Sequence, residues 1–343
     1  MARLKLSFAT RMNERVRPLV EGTVRPDGID LIPTIAHPGE VFWRQLRFGD
    51  FDVSEMSLSS FLVAKSRGSD LVAIPAFPSR RFFHIELDAR SDAGIVQPSD
   101  LAGKRIGVPE YQQTAALWLR WVLEHDFGVP ATSIRWFMER GEELSHGGAT
   151  GFEPPPGISL ERIPPDESLV SLLLDGRLDA AFVRPNRSVG ADNVIERSQR
   201  FQGSGDWSGI VPAFGDGMVE GRRFFAKHGY IPINHTFVIR GELLRKHPWV
   251  ALNMYKAFLA AKAAAEGDLL ETIPLSLVFR WEFLSQVRAD FGPDPFPYGL
   301  RANRSVLETI IRASREQGLT QSEVEPESLF APSTVEWEPG AEP

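Results

Sequence analysis

Cysteine is absent from the 343-residue chain, which excludes disulfides, thiolate nucleophiles and cysteine-ligated metals. Long apolar runs are missing as well, and nothing approaches the roughly 20 residues of a membrane-spanning helix. The opening stretch MARLKLSFATRMNERVRPL breaks its apolar run at Lys5 and Ser7 and continues into Arg11, Arg15 and Arg17. That is not the pattern of a secretion signal, so the expectation is a cytoplasmic protein with no membrane partner. Basic residues are outnumbered, 38 Lys and Arg against 45 Asp and Glu, for a net charge of −7. They form only short clusters such as Arg80-Arg81 and Arg222-Arg223, so no nucleic-acid partner is expected. Gly-x-Gly-x-x-Gly, the P-loop, His-Glu-x-x-His and Gly-x-Ser-x-Gly are all missing. The seven histidines are scattered without ligand spacing, so no metal site is expected.

What remains is ordinary for a chain with a proper core: 43% hydrophobic and 24% charged residues. The length suits two domains or one bilobed body. Leu4, Leu6 and Phe8 alternate with polar residues, as a strand does. A helix-compatible segment follows at 14–22, then a strand at 29–35. Val41, Phe42, Gln45 and Leu46 mark a short helix closed by Gly49. Residues 51–56 read as a strand, 58–65 as a helix, and 72–75 and 82–87 as further strands. This alternation predicts a mostly parallel sheet flanked by helices.

The pattern restarts at Lys104 with a strand, a polar junction and a helix stopped by Gly128. Residues 139–158, RGEELSHGGATGFEPPPGIS, are rich in glycine and proline and read as a long surface loop. A strand at 158–163 follows, then a helix carrying Leu169, Leu172 and Leu173 and ending at Asp175-Gly176, then a strand at 180–183. The last third has a strand at 235–240, a helix opening at Pro248 and running to about 265, and helices at 276–291 and 303–317. Trp118 and Trp121 read as core.

Five segments in this order, FDVSEMSLSSFLVAKSRG (51–68), AIPAFPSRRFFH (73–84), GKRIGVPEYQQTAALWLRWVL (103–123), INHTFVIR (233–240) and PFPYGLRANRSVLETIIRASREQGL (295–319), resemble the 4,5-dihydroxyphthalate decarboxylase family. The resemblance runs from about Leu4 to Pro332. It implies an α/β, type II periplasmic-binding-protein-like fold: two lobes, each a mostly parallel sheet flanked by helices, joined by two crossover strands. Lobe one would be 1–90 plus 235–343 and lobe two 95–230, with crossovers near 85–95 and 230–237 and the ligand in the cleft. The implied activity is that of a carboxy-lyase in aromatic (phthalate) catabolism, removing one carboxylate from a dihydroxylated aromatic diacid without an organic cofactor. Two stretches depart from the family pattern: Thr10-Arg11-Met12-Asn13 and Arg184-Pro185-Asn186-Arg187. Both bear on which substituents the site reads.

Decarboxylation of this kind needs donors for carboxylates, a base for the phenol and an acid above the ring carbon. His84 is the first candidate acid, since it ends a predicted strand and falls on the family's Ser-Arg-x-Phe-x-His pattern. His235 is the second, and either it or Glu110 is the candidate base. Both histidines have a plainer reading as structural side chains. Arg80, which matches the family, and Arg81 are candidate carboxylate forks.

Pro109 to Thr114 form a strand-to-helix junction, where unpaired helix N–H groups favour anions. Thr114 or a glutamine would cap the helix, while Tyr111, Gln112 and Gln113 would contact the substrate. Ser57, Ser59 and Ser60 occupy the corresponding junction earlier in the chain, and simple N-capping explains them as well. Arg11 and Arg184 end strands and are further candidate carboxylate contacts. The partner is a small aromatic carboxylate, and a homo-oligomer is left open. The alternative function is a non-catalytic solute-binding protein of the same fold.

Overall fold

The computed structural model describes residues 3–183, 196–200, 205–271 and 278–337. The chain divides into two compact units. Met1–Arg80, Ile233–Ile311 and Glu323–Pro343 form the first, and Arg81–Pro232 with Arg312–Ser322 the second.

In chain order the first unit opens with β1 (Leu4–Thr10), α1 (Arg17–Val20), β2 (Ile29–Ile35), α2 (Pro38–Phe48), β3 (Val53–Ser57), α3 (Leu58–Ser66) and β4 (Leu71–Arg80). The second unit holds β5 (Asp88–Arg90), β6 (Arg105–Val108), α4 (Thr114–Phe127), β7 (Arg135–Met138), α5 (His146–Thr150), β8 (Ser159–Arg162), α6 (Leu169–Leu174), β9 (Ala180–Ala181), β10 (Ile210–Pro212) and α7 (Gly217–His228). The chain then returns through β11 (Ile233–Arg240), α8 (Gly241–Lys246), α9 (Trp249–Glu271), α10 (Arg280–Phe291), α11 (Leu300–Glu316) and α12 (Pro332–Val335).

The first unit's sheet has the order β2-β1-β3-β11-β4. β1 runs parallel to β2 and β3, and β11 lies antiparallel to both β3 and β4. This places the C-terminal ends of β1, β3 and β4 beside the start of β11, with His235 opposite both Ser57 and Ser79. Phe8 and Phe237 on the sheet meet Phe258 of α9, the last two stacked at 4.0 Å. Burying each such ring contributes roughly 1.5–3 kcal/mol. Pro38 opens α2, where its missing N–H costs nothing, and Gly49 closes it with a left-handed φ of 65°. The Gln45 side chain then exchanges two hydrogen bonds with the Phe51 backbone, at 3.1 and 3.0 Å, and so fixes the entry to β3. α3 follows β3 with no loop, and every residue from Leu58 to Ala64 is buried.

The second unit's sheet has the order β10-β5-β9-β6-β7-β8. β9, β6, β7 and β8 are parallel, and β5 is antiparallel to β9 and β10. Gly107 permits the close packing of β6, because a Cβ there would meet Leu169 Cδ2 and Leu178 Cδ1 at 2.7 Å. Both sheets are thus mixed, with their parallel strands flanked by helices, as the sequence alternation predicts. Among the described residues no helix is long and apolar enough to cross a membrane.

Two sequence expectations fail. Residues 82–87 are not a strand: Phe83–Glu86 form a 3-10 turn, with Leu87 N–H donating to the His84 carbonyl at 3.2 Å. Its Phe83 and His84 side chains are both fully buried. Residues 139–158 are not a loose surface loop either. Their first half contains a 3-10 turn and α5, and Ser145, His146 and Gly147 are buried. The reason is a buried carboxylate supplied from outside the segment, that of Glu110.

Candidate active site

Glu55 sits within β3, a strand buried at all five positions. A carboxylate taken out of water is costly unless its lone pairs are satisfied. Here they are: Thr10 Oγ1 donates at 2.7 Å, Arg11 N–H at 3.0 Å and His235 Nδ1 at 2.6 Å. Burial alone would raise the Glu55 carboxyl, but the His235 bond and charge, the Arg11 N–H and the Thr10 hydroxyl together hold it below the ordinary value. An ionised carboxylate only accepts, so the His235 Nδ1 carries the proton and Nε2 is left for other chemistry. The ring is braced edge-on against Phe42 at 4.8 Å, and the side chain keeps 11% of its surface exposed.

Arg80 ends β4 and is buried. Its Nη2 donates to the Pro297 carbonyl at 2.7 Å and to Asn303 Oδ1, while Asn303 Nδ2 donates to the carbonyls of Pro297 and Gly299. The guanidinium thereby holds the segment that carries Tyr298. Burial, followed by the charge of Arg15, lowers Arg80 to about 9 against the opposing pull of Tyr298 and Asp294, so it stays cationic at neutral pH. Tyr298 is itself buried and raised by that burial, while the Arg15 and Arg80 charges act to lower it. One end of this sheet therefore gathers a histidine–carboxylate pair, arginines and a phenol.

Glu55, Arg15 and Tyr298 escaped the reading of the sequence. An acidic residue two positions after Val53 and four after Phe51, on their side of the strand, was the available signal for Glu55. Arg11, a predicted contact, contributes its backbone N–H while its side-chain surface is exposed. Ser57 caps α3 by accepting from Ser60 N–H at 3.4 Å, and Ser59 lies buried in the first turn of that helix.

The second unit holds the other predicted residues, mostly turned inward. His84 is fully buried, with its ring 5.1 Å from Phe214 and 5.3 Å from Phe224. Nε2 meets Glu220 Oε1 at 2.9 Å, and Nδ1 has no partner among the described residues. Burial lowers its pKa more than Glu220 raises it. Glu220 is further held by Arg223, which also reaches Asp126 at 2.7 Å. Arg81 is half exposed and pairs with Glu86 at 2.6 Å.

Glu110 accepts from Arg140 Nη1, Ser145 Oγ and Gly147 N–H, each at 2.6 Å, and from His146 N–H at 3.2 Å. Burial opposes ionisation, yet His146, Arg140 and these bonds hold its pKa at about 2. A carboxylate so engaged is a weak base. Tyr111 is buried with the Arg120 guanidinium 3.8 Å above its ring, and Gln112 Oε1 accepts from Thr150 at 3.3 Å. Gln113 is the N-cap of α4 without a side-chain cap bond, and Thr114 is the first helical residue, so neither caps in the way expected. Arg184 lies outside the described residues. Among the described residues no group of three or more His, Cys, Asp or Glu is arranged to hold a metal ion.

No protein-family model matches the chain. It is 34% identical over 339 residues to the 4,5-dihydroxyphthalate decarboxylase of Comamonas testosteroni, covering 98% of this chain and 99% of that one. It is 42% identical over 183 residues to the enzyme of the same name from Pseudomonas putida, covering 53% of this chain and 71% of the relative. Among solved structures it resembles the periplasmic aliphatic sulphonate binding protein of Escherichia coli, with a TM-score of 0.53 at 12% identity over 96% of this chain and 97% of that one. The last likeness shows a periplasmic-binding-protein fold. Taken over its whole length, the chain belongs to the 4,5-dihydroxyphthalate decarboxylase family.

Proposed function

We propose that the chain is a carboxy-lyase that releases carbon dioxide from a hydroxylated, phthalate-like aromatic carboxylate, with His235 as the group that protonates the ring. The observation that carries this reading is the 2.6 Å contact between Glu55 and His235 Nδ1, which leaves Nε2 as the proton-transfer atom. In the cationic imidazole, Nε2–H delivers its proton to the ring carbon bearing the leaving carboxylate. The ring loses aromaticity, and the hydroxyl oxygen para to that carbon shares the positive charge. The carbon–carboxylate bond then breaks, its electron pair returns to the ring, carbon dioxide departs and the phenol is restored. Glu55 holds the imidazole in orientation through Nδ1, so it is a positioning residue.

This reading differs from the sequence expectation of His84 as acid and Glu110 or His235 as base. The burial of His84 and the saturation of Glu110 by donors both favour His235. No organic cofactor is needed, because the para oxygen serves as the electron sink.

The test is incubation of the purified protein with 4,5-dihydroxyphthalate in deuterium oxide. The expected result is one carbon dioxide per product and one deuterium on the vacated ring carbon. Tight binding with the ligand recovered intact would reject the reading in favour of a solute-binding role.

A further inference from the structure

Arg15 stands in the turn after β1, just beyond the Thr10-Arg11-Met12-Asn13 stretch that departs from the family pattern. Asn13 makes the turn: its Oδ1 accepts from the backbone N–H of Arg15 at 3.0 Å and of Val16 at 3.3 Å. Arg17 N–H donates to the Asn13 carbonyl at 3.0 Å, so the backbone at Arg15 is held on both sides. The side chain is equally fixed. Its guanidinium lies 4.1 Å from the centre of the Phe296 ring, Nη1 donates to the Pro78 carbonyl at 3.2 Å, and 11% of its surface is exposed.

Its carboxylate neighbour Glu14 is 3.7 Å from Nη2 and itself 64% exposed, a pairing of little energetic weight. Through that bond to Pro78, a residue of β4, Arg15 is tied to the strand that ends at Arg80. The same end of the sheet carries His235 and Tyr298.

We infer that Arg15 binds the aromatic carboxylate that stays on the ring, and so selects diacids over monoacids as substrates. The inference rests on the function proposed above. A guanidinium matches a carboxylate through two parallel hydrogen bonds, and stacking on Phe296 sets the plane of that fork. The retained carboxylate is present in both substrate and product, so Arg15 contributes to both affinities, whereas the protonating group acts on turnover.

The experiment is titration calorimetry of wild type, Arg15→Met and Arg15→Lys with three probes: 4,5-dihydroxyphthalate, 3,4-dihydroxybenzoate and catechol. For Arg15→Met, Kd should rise about 10- to 100-fold for both acids, the range of a charge-assisted pair, and change less than threefold for catechol. Arg15→Lys, which keeps the charge but loses the fork, should fall between. In turnover, kcat/KM should fall much more than kcat. Equal weakening of all three probes would mean that Arg15 only shapes the turn, and unchanged acid affinity would overturn the inference outright. If wild type binds both acids through Arg15 but releases no carbon dioxide, the decarboxylase reading fails while the binding role stands.

Discussion

Two histidines of this chain each meet a buried glutamate, and the two pairs sit in different surroundings. His235 uses Nδ1 against Glu55 at 2.6 Å and keeps part of its ring exposed. His84 uses Nε2 against Glu220 at 2.9 Å and is enclosed by Phe82, Phe214 and Phe224. Residue type and partner are the same; surroundings decide the role. The Glu55 pair leaves Nε2 of a partly exposed ring unengaged by that carboxylate, whereas Nδ1 of His84 is buried without a hydrogen-bond partner among the described residues, and burial disfavours its charge.

The sharpest way to break this comparison is to remove each histidine in turn. His235→Asn should lower kcat about 10²- to 10⁴-fold, the usual worth of a positioned acid, with Kd for 4,5-dihydroxyphthalate within threefold of wild type. His84→Asn should leave kcat within a few-fold and lower the melting temperature instead. Steady-state assays beside thermal melts would read both. The next largest effect belongs to Glu110→Gln, which breaks a buried ion pair with Arg140 and should destabilise the second unit by about 3–5 kcal/mol in urea unfolding. A loss below 1 kcal/mol would show that the cluster is not holding residues 140–150 in place.

Glu55→Gln keeps the shape of the dyad but removes its charge, and should cost roughly tenfold in kcat with little change in KM. An equal loss in stability and binding would instead mark Glu55 as merely structural. The smallest effect concerns pH. His84 titrates near 6.5 when unfolded and lower when folded, chiefly through burial and against the pull of Glu220. The unfolded chain therefore takes up a proton that the native state refuses. Stability is fully present above about 6.5 and is lost as pH falls, by at most about 1.4 kcal/mol per unit. His84→Gln should flatten that slope below about pH 6.5. Glu110 acts in a window that runs from the ordinary carboxylate range down to about 2.

Local pattern was enough for much of the fold. The strand over residues 29–35, the helix stopped by Gly128 and the strand ending at Arg240 follow from alternation and from glycine at left-handed positions, which neighbours alone dictate. It was not enough where distant groups decide. Residues 82–87 show apolar residues at spacings that suit a strand or a 3-10 turn, and only the cage around His84 selects the turn. The stretch after Arg140 is ordered by Glu110, 35 residues before Ser145 and 37 before Gly147. Glu55 meets His235 across 180 residues, so the strand that carries Glu55 does not by itself reveal that the residue is the centre of a polar cluster. His84 and His235 look alike as letters in the sequence, and only their partners and surroundings in the fold separate them.

Chemical rescue tests the central claim most directly. With His235→Ala and His84→Ala prepared side by side, carbon dioxide release from 4,5-dihydroxyphthalate is followed as imidazole is added. The account predicts that His235→Ala is nearly silent and regains turnover in proportion to imidazole, while His84→Ala is active from the start and indifferent to it. Full activity of His235→Ala without imidazole, or rescue confined to His84→Ala, would contradict it.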